Sequence, residues 1–516
     1  MTRWGMLADL ERCVGCQTCT AACRHTNATS PAVQWRKVID VEAGTFPNVS
    51  RTFVPVGCQH CADPPCMHVC PTTATRQRDD GIVTIDYSIC IGCAYCEVAC
   101  PYQARFLVDE PHYAYEGAAM QNEIERADEE RIGVAQKCTF CSDRIDFGLE
   151  NGLTPGLDPR ATPACVNACI ADALHFGDLD DPNSNVSRLL QEHKSFKMHA
   201  ELGTEPGFHY LYGRAGDGVE TPPAYDLAGG GHLRAKGAEP ALQQHWNWKA
   251  AGNFICGGMG AGLLLGAMLA MLAGVPATAS LGWAALGLIA VGLTVLLFKI
   301  GRPLRFIHVL RQPQRSWMTR EAWIAGALFP IAAAALWTGL PWLLAIAVVL
   351  AAAFLVSQAM ILYGAKGIPA WRHAAIIPLI VVTGLAEGCG LFLADAAFRP
   401  KLASVVAIMA LATGLLAAAR ALAWRAYTSA LTRAGAPAQS LDVLVAHSPA
   451  LLLGGTLLPL VLLGTATVFA SAAPFLNAVA GLCIAIAGAE TKLIIVTRAG
   501  FNQGFAIAHT PVRGAG

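Results

Sequence analysis

Charge is scarce in this sequence: Asp, Glu, Lys and Arg make up 14% of its 516 residues, against 54% hydrophobic residues. So little charge excludes a disordered chain or one that coats nucleic acid. Familiar catalytic signatures are missing too. There is no GxGxxG fingerprint, no phosphate-binding P-loop and no motif-marked nucleophile–base pair, so no residue is expected to act as a substrate catalyst. Met1-Thr2-Arg3-Trp4 opens without a charged n-region, an apolar h-region or twin arginines, and no export signal is expected. Acidic residues nearly vanish from the second half. Residues 246–516 hold five Asp+Glu against 17 Lys+Arg, a net of +12. Residues 1–245 hold 32 against 20, a net of −12, so the chain's zero charge sums two unlike halves.

What the acidic half does contain is cysteine, 16 of the chain's 19. They fall into four quartets: Cys13, Cys16, Cys19 and Cys23; Cys58, Cys61, Cys66 and Cys70; Cys90, Cys93, Cys96 and Cys100; and Cys138, Cys141, Cys165 and Cys169. The third reads C-x2-C-x2-C-x3-C-P, the run that holds [4Fe–4S] clusters, in which three close thiolates wrap one cluster and the fourth reaches the neighbouring one. The crossed rule then gives four expected ligand sets. Cys58, Cys61, Cys66 and Cys100 serve one cluster, and Cys90, Cys93, Cys96 and Cys70 its partner. Cys13, Cys16, Cys19 and Cys169 serve the third, and Cys138, Cys141, Cys165 and Cys23 the fourth. Zinc also uses CxxC pairs but has no use for a fourth Cys at x3 before Pro. A disulfide framework suits small secreted chains rather than clustered CxxC repeats in a long one.

Val33 to Val41, Arg51 to Val56 and Gly81 to Asp86 read as short strands, and Ser142 to Ala164, rich in Gly, Pro and Asp, as a surface loop. The expected fold is an α+β ferredoxin-like domain of two paired dicluster units. His25, His60, His68 and His175 lie near cluster cysteines and read as hydrogen-bonding neighbours that tune potential rather than as ligands.

From residue 250 the pattern changes to apolar runs of about 20 residues, long enough to cross a bilayer core of about 30 Å. Eight are expected, at about 252–274, 278–298, 322–340, 342–364, 374–395, 402–424, 449–471 and 475–497, making an all-α eight-span transmembrane bundle. The expected domains are 1–215, a linker over 216–249 that contains Gly229-Gly230-Gly231, and 250–516. An even number of spans puts both ends of the chain on one side. Loops on that side and the tail carry twelve positive residues, from Lys299 to Arg513, against Arg399 and Lys401 opposite. The positive-inside rule therefore places residues 1–245 and the C-terminus in the cytoplasm.

Ionisable and polar residues within spans are costly and are functional candidates by default. Glu387, Glu490, Lys492, Arg420, Gln358 and Tyr363 are the candidates for a quinone site or proton path. Glu387 lies about 20 Å in from the cytoplasmic end of its span. Lys492 and Arg420 could instead snorkel to the interface. Cys256, Cys389 and Cys483 read as apolar packing residues. No pair of intramembrane histidines stands out, and no haem is expected.

Residues 1 to about 215 resemble the four-cluster electron-transfer subunit of the complex iron–sulfur molybdoenzymes, the group that contains dimethyl sulfoxide, polysulfide and tetrathionate reductases. Cys13-Val14-Gly15-Cys16-Gln17-Thr18-Cys19, Cys58-Gln59-His60-Cys61-Ala62-Asp63-Pro64-Pro65-Cys66, Cys90-Ile91-Gly92-Cys93-Ala94-Tyr95-Cys96 and Pro163-Ala164-Cys165-Val166-Asn167-Ala168-Cys169 carry the resemblance. Ile170 departs from the Pro that often follows the last Cys. Residues 250–516 resemble the dimethyl sulfoxide reductase-type anchor through Gly301-Arg302-Pro303, Arg315-Ser316-Trp317 and Arg498-Ala499-Gly500-Phe501-Asn502-Gln503-Gly504-Phe505. The resemblance implies a natural fusion in the bacterial inner membrane, with a separate molybdopterin (molybdenum or tungsten) catalytic subunit as partner and quinone as the membrane reactant. Cytoplasmic placement favours partners of the sulfite- or phenylacetyl-CoA-oxidising type, and the reductase direction uses the same parts. Two other functions fit the sequence: a docking anchor without quinone chemistry, and a self-contained ferredoxin:quinone oxidoreductase.

Overall fold

The computed structural model describes residues 2–31, 33–45, 47–115, 118–126, 128–215, 235–236, 239–507 and 509–511. The expected linker thus lies largely outside the described residues. The chain divides into two compact units, Met1–Ala241 with Asn502–Gly516, and Leu242–Phe501.

The first unit is built on a four-stranded sheet ordered Leu174–Asp178, Trp4–Asp9, Phe208–Arg214, His193–Phe196. Trp4–Asp9 runs parallel to Phe208–Arg214 and antiparallel to Leu174–Asp178. All six of its residues are buried, because both faces of this central strand are covered. Trp4, Met6 and Ala8 face the main core, while Leu7 packs with Val186 and Leu211. A hairpin pairs Arg36–Thr45 with Asn48–Gly57, bringing Ile39 opposite Val54. Its period-2 pattern puts Ile39 and Val41 inside and Glu42 outside. A short ribbon pairs Thr75–Gln77 with Val83–Ile85.

Helix Ser142–Glu150 corrects the loop expected over 142–164. The Gly and Pro of that stretch concentrate after residue 150, and Ile145 and Gly148 give the helix a buried stripe. The last described residues complete this unit. Asn502 Oδ1 accepts from Ala241 N–H at 3.1 Å and from Gln103 Nε2 at 3.0 Å, and Phe505 and Ile507 are buried in the main core.

In the second unit, eight helices among the described residues are long and apolar enough to cross a membrane: Trp248–Leu272, Pro276–Leu297, Trp317–Thr338, Pro341–Gly364, Ile376–Ala396, Pro400–Arg433, Ala438–Val468 and Ala473–Thr497. The first, fifth and eighth are the most buried, and small residues let their backbones approach. A Cβ on Gly262 would lie 2.2 Å from the Gly384 carbonyl oxygen, and one on Gly390 2.5 Å from that of Gly481. The third span begins at Trp317, five residues before its expected start. The seventh begins at Ala438, 11 residues early, and contains a π-helical stretch, Ala450–Leu457. Both ends of this unit adjoin, Leu242 bridging Phe501 and Gln243 N–H donating to the Gly500 carbonyl at 3.0 Å.

Candidate iron–sulfur and membrane sites

The cysteine loops owe their shape to left-handed backbone. Gly15 and Gln17 have φ 71° and 63°, Gly92 and Ala94 φ 68° and 59°, and Phe140 and Cys141 φ 56° and 54°. Left-handed residues between ordinary ones curl successive N–H groups inward, a concavity that favours anions. Gly15 is also sterically required, since a Cβ there would lie 2.5 Å from the Phe53 ring. After each loop the chain enters a helix carrying the next cysteine, as in Thr18–Asn27, Pro65–Val69, Tyr95–Ala99 and Ala164–Asn167.

These loops gather cysteines from distant parts of the sequence. Cys13, Cys16 and Cys19 line one cavity together with Cys169. Cys58, Cys61 and Cys66 line another with Cys100. Burial pushes the Cys96 thiol well up, opposed by the Arg105 guanidinium and reinforced by Cys93, Cys90 and Cys70. Burial likewise raises Cys23, reinforced by Cys138, Cys165 and Cys141 and opposed by Arg36. Thiols so packed resist ionising together, and only a multivalent cationic group holds four of them as thiolates.

Among the described residues no cysteine forms a disulfide, and 12 of the 16 in this unit are buried. Among the described residues no three His, Cys, Asp or Glu side chains close on a single metal ion. Sulfur also receives hydrogen bonds. Thr75 N–H donates to Cys70 Sγ at 3.4 Å, Phe140 N–H to Cys138 Sγ at 3.4 Å and Ala173 N–H to Cys169 Sγ at 3.2 Å. His60, buried, accepts the Val83 N–H at 3.0 Å on Nδ1 and stacks on Phe140 with ring centroids 3.7 Å apart. Phe140 lies between Cys138 and Cys141, so His60 packs against that loop, while His68 pairs with Asp63. The cavities, the thiols that line them and the N–H donors fit an anionic iron–sulfur group.

The membrane-type unit has its own polar centre. Lys492 Nζ donates to Glu387 Oε2 at 2.6 Å and to the Phe254 carbonyl at 3.0 Å. Both side chains are fully buried, so Lys492 does not snorkel. Nor does it pair with Glu490, two residues away on the same helix, whose half-exposed carboxylate lies 3.8 Å from His447 Nδ1. Arg420 is also fully buried and donates to the Ile484 carbonyl at 2.8 Å and the Gly455 carbonyl at 2.6 Å.

Gln358 donates to the Asn253 carbonyl at 3.0 Å, and the Asn253 amide to Glu321 Oε1 at 3.4 Å. A Cβ on Gly258 would lie 2.2 Å from Lys492 Nζ and 3.4 Å from Gln358 Oε1, so both side chains converge on that glycine. Tyr363 stands apart, its ring under Lys366 Nζ at 3.9 Å. Glu321, Asn253 and His447 were not among the sequence candidates. Glu321 sits one residue before the expected start of its span, so a window begun at the helix cap would have included it.

The family model described as "4Fe-4S dicluster domain" matches residues 49–126. Over 232 residues the chain is 40% identical to a Halobacterium salinarum protein named as a dimethyl sulfoxide reductase iron–sulfur subunit, covering 42% of this chain and 82% of that one. It is 42% identical over 221 residues to a selenate reductase subunit of Mesobacillus selenatarsenatis, covering 40% and 72%. It is 37% identical over 228 residues to a sulfite dehydrogenase subunit of Allochromatium vinosum, covering 41% and 83%. The chain therefore belongs to the iron–sulfur electron-transfer subunits of the complex iron–sulfur molybdoenzymes, joined in one polypeptide to an eight-helix region consistent with a membrane anchor.

Proposed function

We propose that the protein passes electrons between a molybdopterin-type catalytic partner (molybdenum or tungsten) and the membrane quinone pool. The single observation that carries this reading is the gathering of 16 cysteines, none in a disulfide, into four groups on one chain with eight apolar helices among the described residues. Four [4Fe–4S] clusters, held by the four cysteine sets expected from the sequence, would each take up and release one electron. The residues of the unit bury the thiolates, donate N–H groups to sulfur and hold each group rigidly beside the next.

On the membrane side, Glu387, Lys492, Gln358 and Arg420 supply buried charge and hydrogen-bonding capacity for quinone chemistry or for a proton path. Glu387 Oε1 and Gln358 Oε1 are buried without partners, so each can accept a further hydrogen bond. Glu490 and Tyr363 lie outside that cluster and act, in this reading, at the helix ends. Arg305 and Arg311, just after Arg302, share the short helical segment Pro303–Arg311 with the exposed Leu304 and Ile307, a composition suited to an anionic leaflet. That supports the cytoplasmic side of the bacterial inner membrane for this loop and for the iron–sulfur unit. The relatives include both reductases and a dehydrogenase by name, and the cluster potentials decide the direction of flow.

Affinity purification from detergent-solubilised membranes, with metal analysis, tests this. About sixteen irons per chain with molybdenum or tungsten on a co-purifying subunit is the expected result. The same iron with neither metal nor partner would favour a self-contained ferredoxin:quinone oxidoreductase. Reduced clusters that pass no electrons to a quinone analogue would leave only a docking anchor.

A further inference from the structure

Three cations are buried in the iron–sulfur unit without an anion to meet them. Arg36, Arg105 and Lys137 are 1%, 4% and 1% exposed. Arg36 lies over the Phe208 ring at 5.0 Å with Nη2 against Met6 Sδ at 2.9 Å, and its Nε and Nη1 have no hydrogen-bond partner. Arg105 donates to Thr75 Oγ1 at 3.0 Å and to Cys66 Sγ at 2.9 Å. Lys137 donates to the carbonyls of Val83 and Cys138. Among the described residues none of the three contacts a carboxylate. An unpaired buried cation is prohibitively costly, and this unit holds three.

Cysteine surrounds them, and it does so in a pattern. The charge neighbours of Arg36 are Cys165, Cys138 and Cys23, together with Cys19 of a different group. Those of Lys137 are Cys58 and Cys66 on one side, where Arg105 opposes it, and Cys138 on the other; its two acceptors repeat the split, since Val83 lines the Cys58 cavity and Cys138 belongs to the other group. Those of Arg105 are Cys66, Cys58 and Cys100, together with Cys96. Each cation therefore stands at the junction of two cysteine groups. The three junctions put the groups in a single row: the Cys13 group, Arg36, the Cys138 group, Lys137, the Cys58 group, Arg105, and the Cys90 group.

We infer that Arg36, Lys137 and Arg105 are junction cations, each offsetting the negative charge of two adjoining cluster sites and raising the reduction potentials of both. The inference rests on the four-cluster reading above. Reduction adds one electron to a site that is already anionic. A fixed cation in a low-dielectric interior favours that reduced form far more than water does. The two inner groups of the row each feel two cations and the two outer groups one.

The test is a potentiometric titration followed by electron paramagnetic resonance on the full chain in detergent. Iron is measured alongside, and signals are assigned with single Cys→Ser variants. Lys137→Met is expected to keep wild-type iron. At a fixed potential it should shift the Cys58 and Cys138 sites at least tenfold toward the oxidised form, about 59 mV for a one-electron couple. The two outer sites should stay unmoved. Arg105→Gln should move the Cys58 and Cys90 sites instead, and Lys137→Arg should move none.

Iron-replete Lys137→Met with all four sites at wild-type potentials would overturn the inference. Iron lost from Lys137→Met but kept in Lys137→Arg would uphold the need for charge. Iron lost from both would reduce Lys137 to a packing residue and overturn it. A wild-type chain without four clusters would show in its own iron content and spectrum, and would count against the underlying reading instead.

Discussion

Lys492 and Glu387, 105 residues apart in sequence, meet at 2.6 Å between the eighth and fifth spans with neither side chain exposed. Removing one partner leaves the other charge uncompensated, at a cost of about 3–5 kcal/mol. Glu387→Gln and Lys492→Met should each lower stability in detergent by about that amount. The double variant should lose less than the sum, since the pair is removed together. Thermal unfolding of the three variants gives the coupling energy, and additive losses would show that the pair does not interact.

Glu387→Gln should also slow quinone-linked turnover while leaving dye-linked turnover of the partner complex normal. Equal rates in both assays would reduce Glu387 to a helix clamp.

Cys96→Ser should remove about a quarter of the iron and leave membrane insertion intact. The two units have separate cores, and the eight apolar helices do not depend on Cys96. Iron analysis of membrane fractions checks this.

Phe505 is 1% exposed within the core of the iron–sulfur unit, with Lys37 Nζ 5.0 Å from its ring centroid. Phe505→Ala should destabilise that unit by about 3–5 kcal/mol, although residue 505 follows the last span in sequence. Limited proteolysis should find residues 1–241 more open and the helical region unchanged.

Burial holds the His209 imidazole down to about 4, helped by Lys197 and Arg3. The unfolded chain binds this proton near pH 6.5, so the unfolded state gains protons first as pH falls. The stability associated with neutral His209 is therefore complete above pH 6.5 and lost between there and about pH 4. His209→Gln should flatten stability over that window, as read by denaturant unfolding at several pH values.

Much of this protein is legible locally. The quartets announce themselves because a cluster needs closely spaced thiolates, and a CxxC spacing survives any fold that keeps the loop. The eight spans are legible because crossing a bilayer requires a fixed run of apolar residues. Legibility fails where one signal stands for two structures. The helix from Ser142 to Glu150 is hidden by the Gly and Pro that follow it, and Glu321 is lost because a window for apolar runs stops at the first charge.

The sequence by itself determined the two-part organisation, the iron–sulfur chemistry and the number of spans, since each follows from residue spacing or run length. Only the tertiary structure decided which charges meet. Lys492 turns to Glu387 rather than to Glu490, because two residues apart on a helix is the wrong side. Arg36, Lys137 and Arg105 look like ordinary surface cations in the sequence. They come to stand between cysteine groups because separate strands and loops close around them, a long-range arrangement that no local spacing encodes.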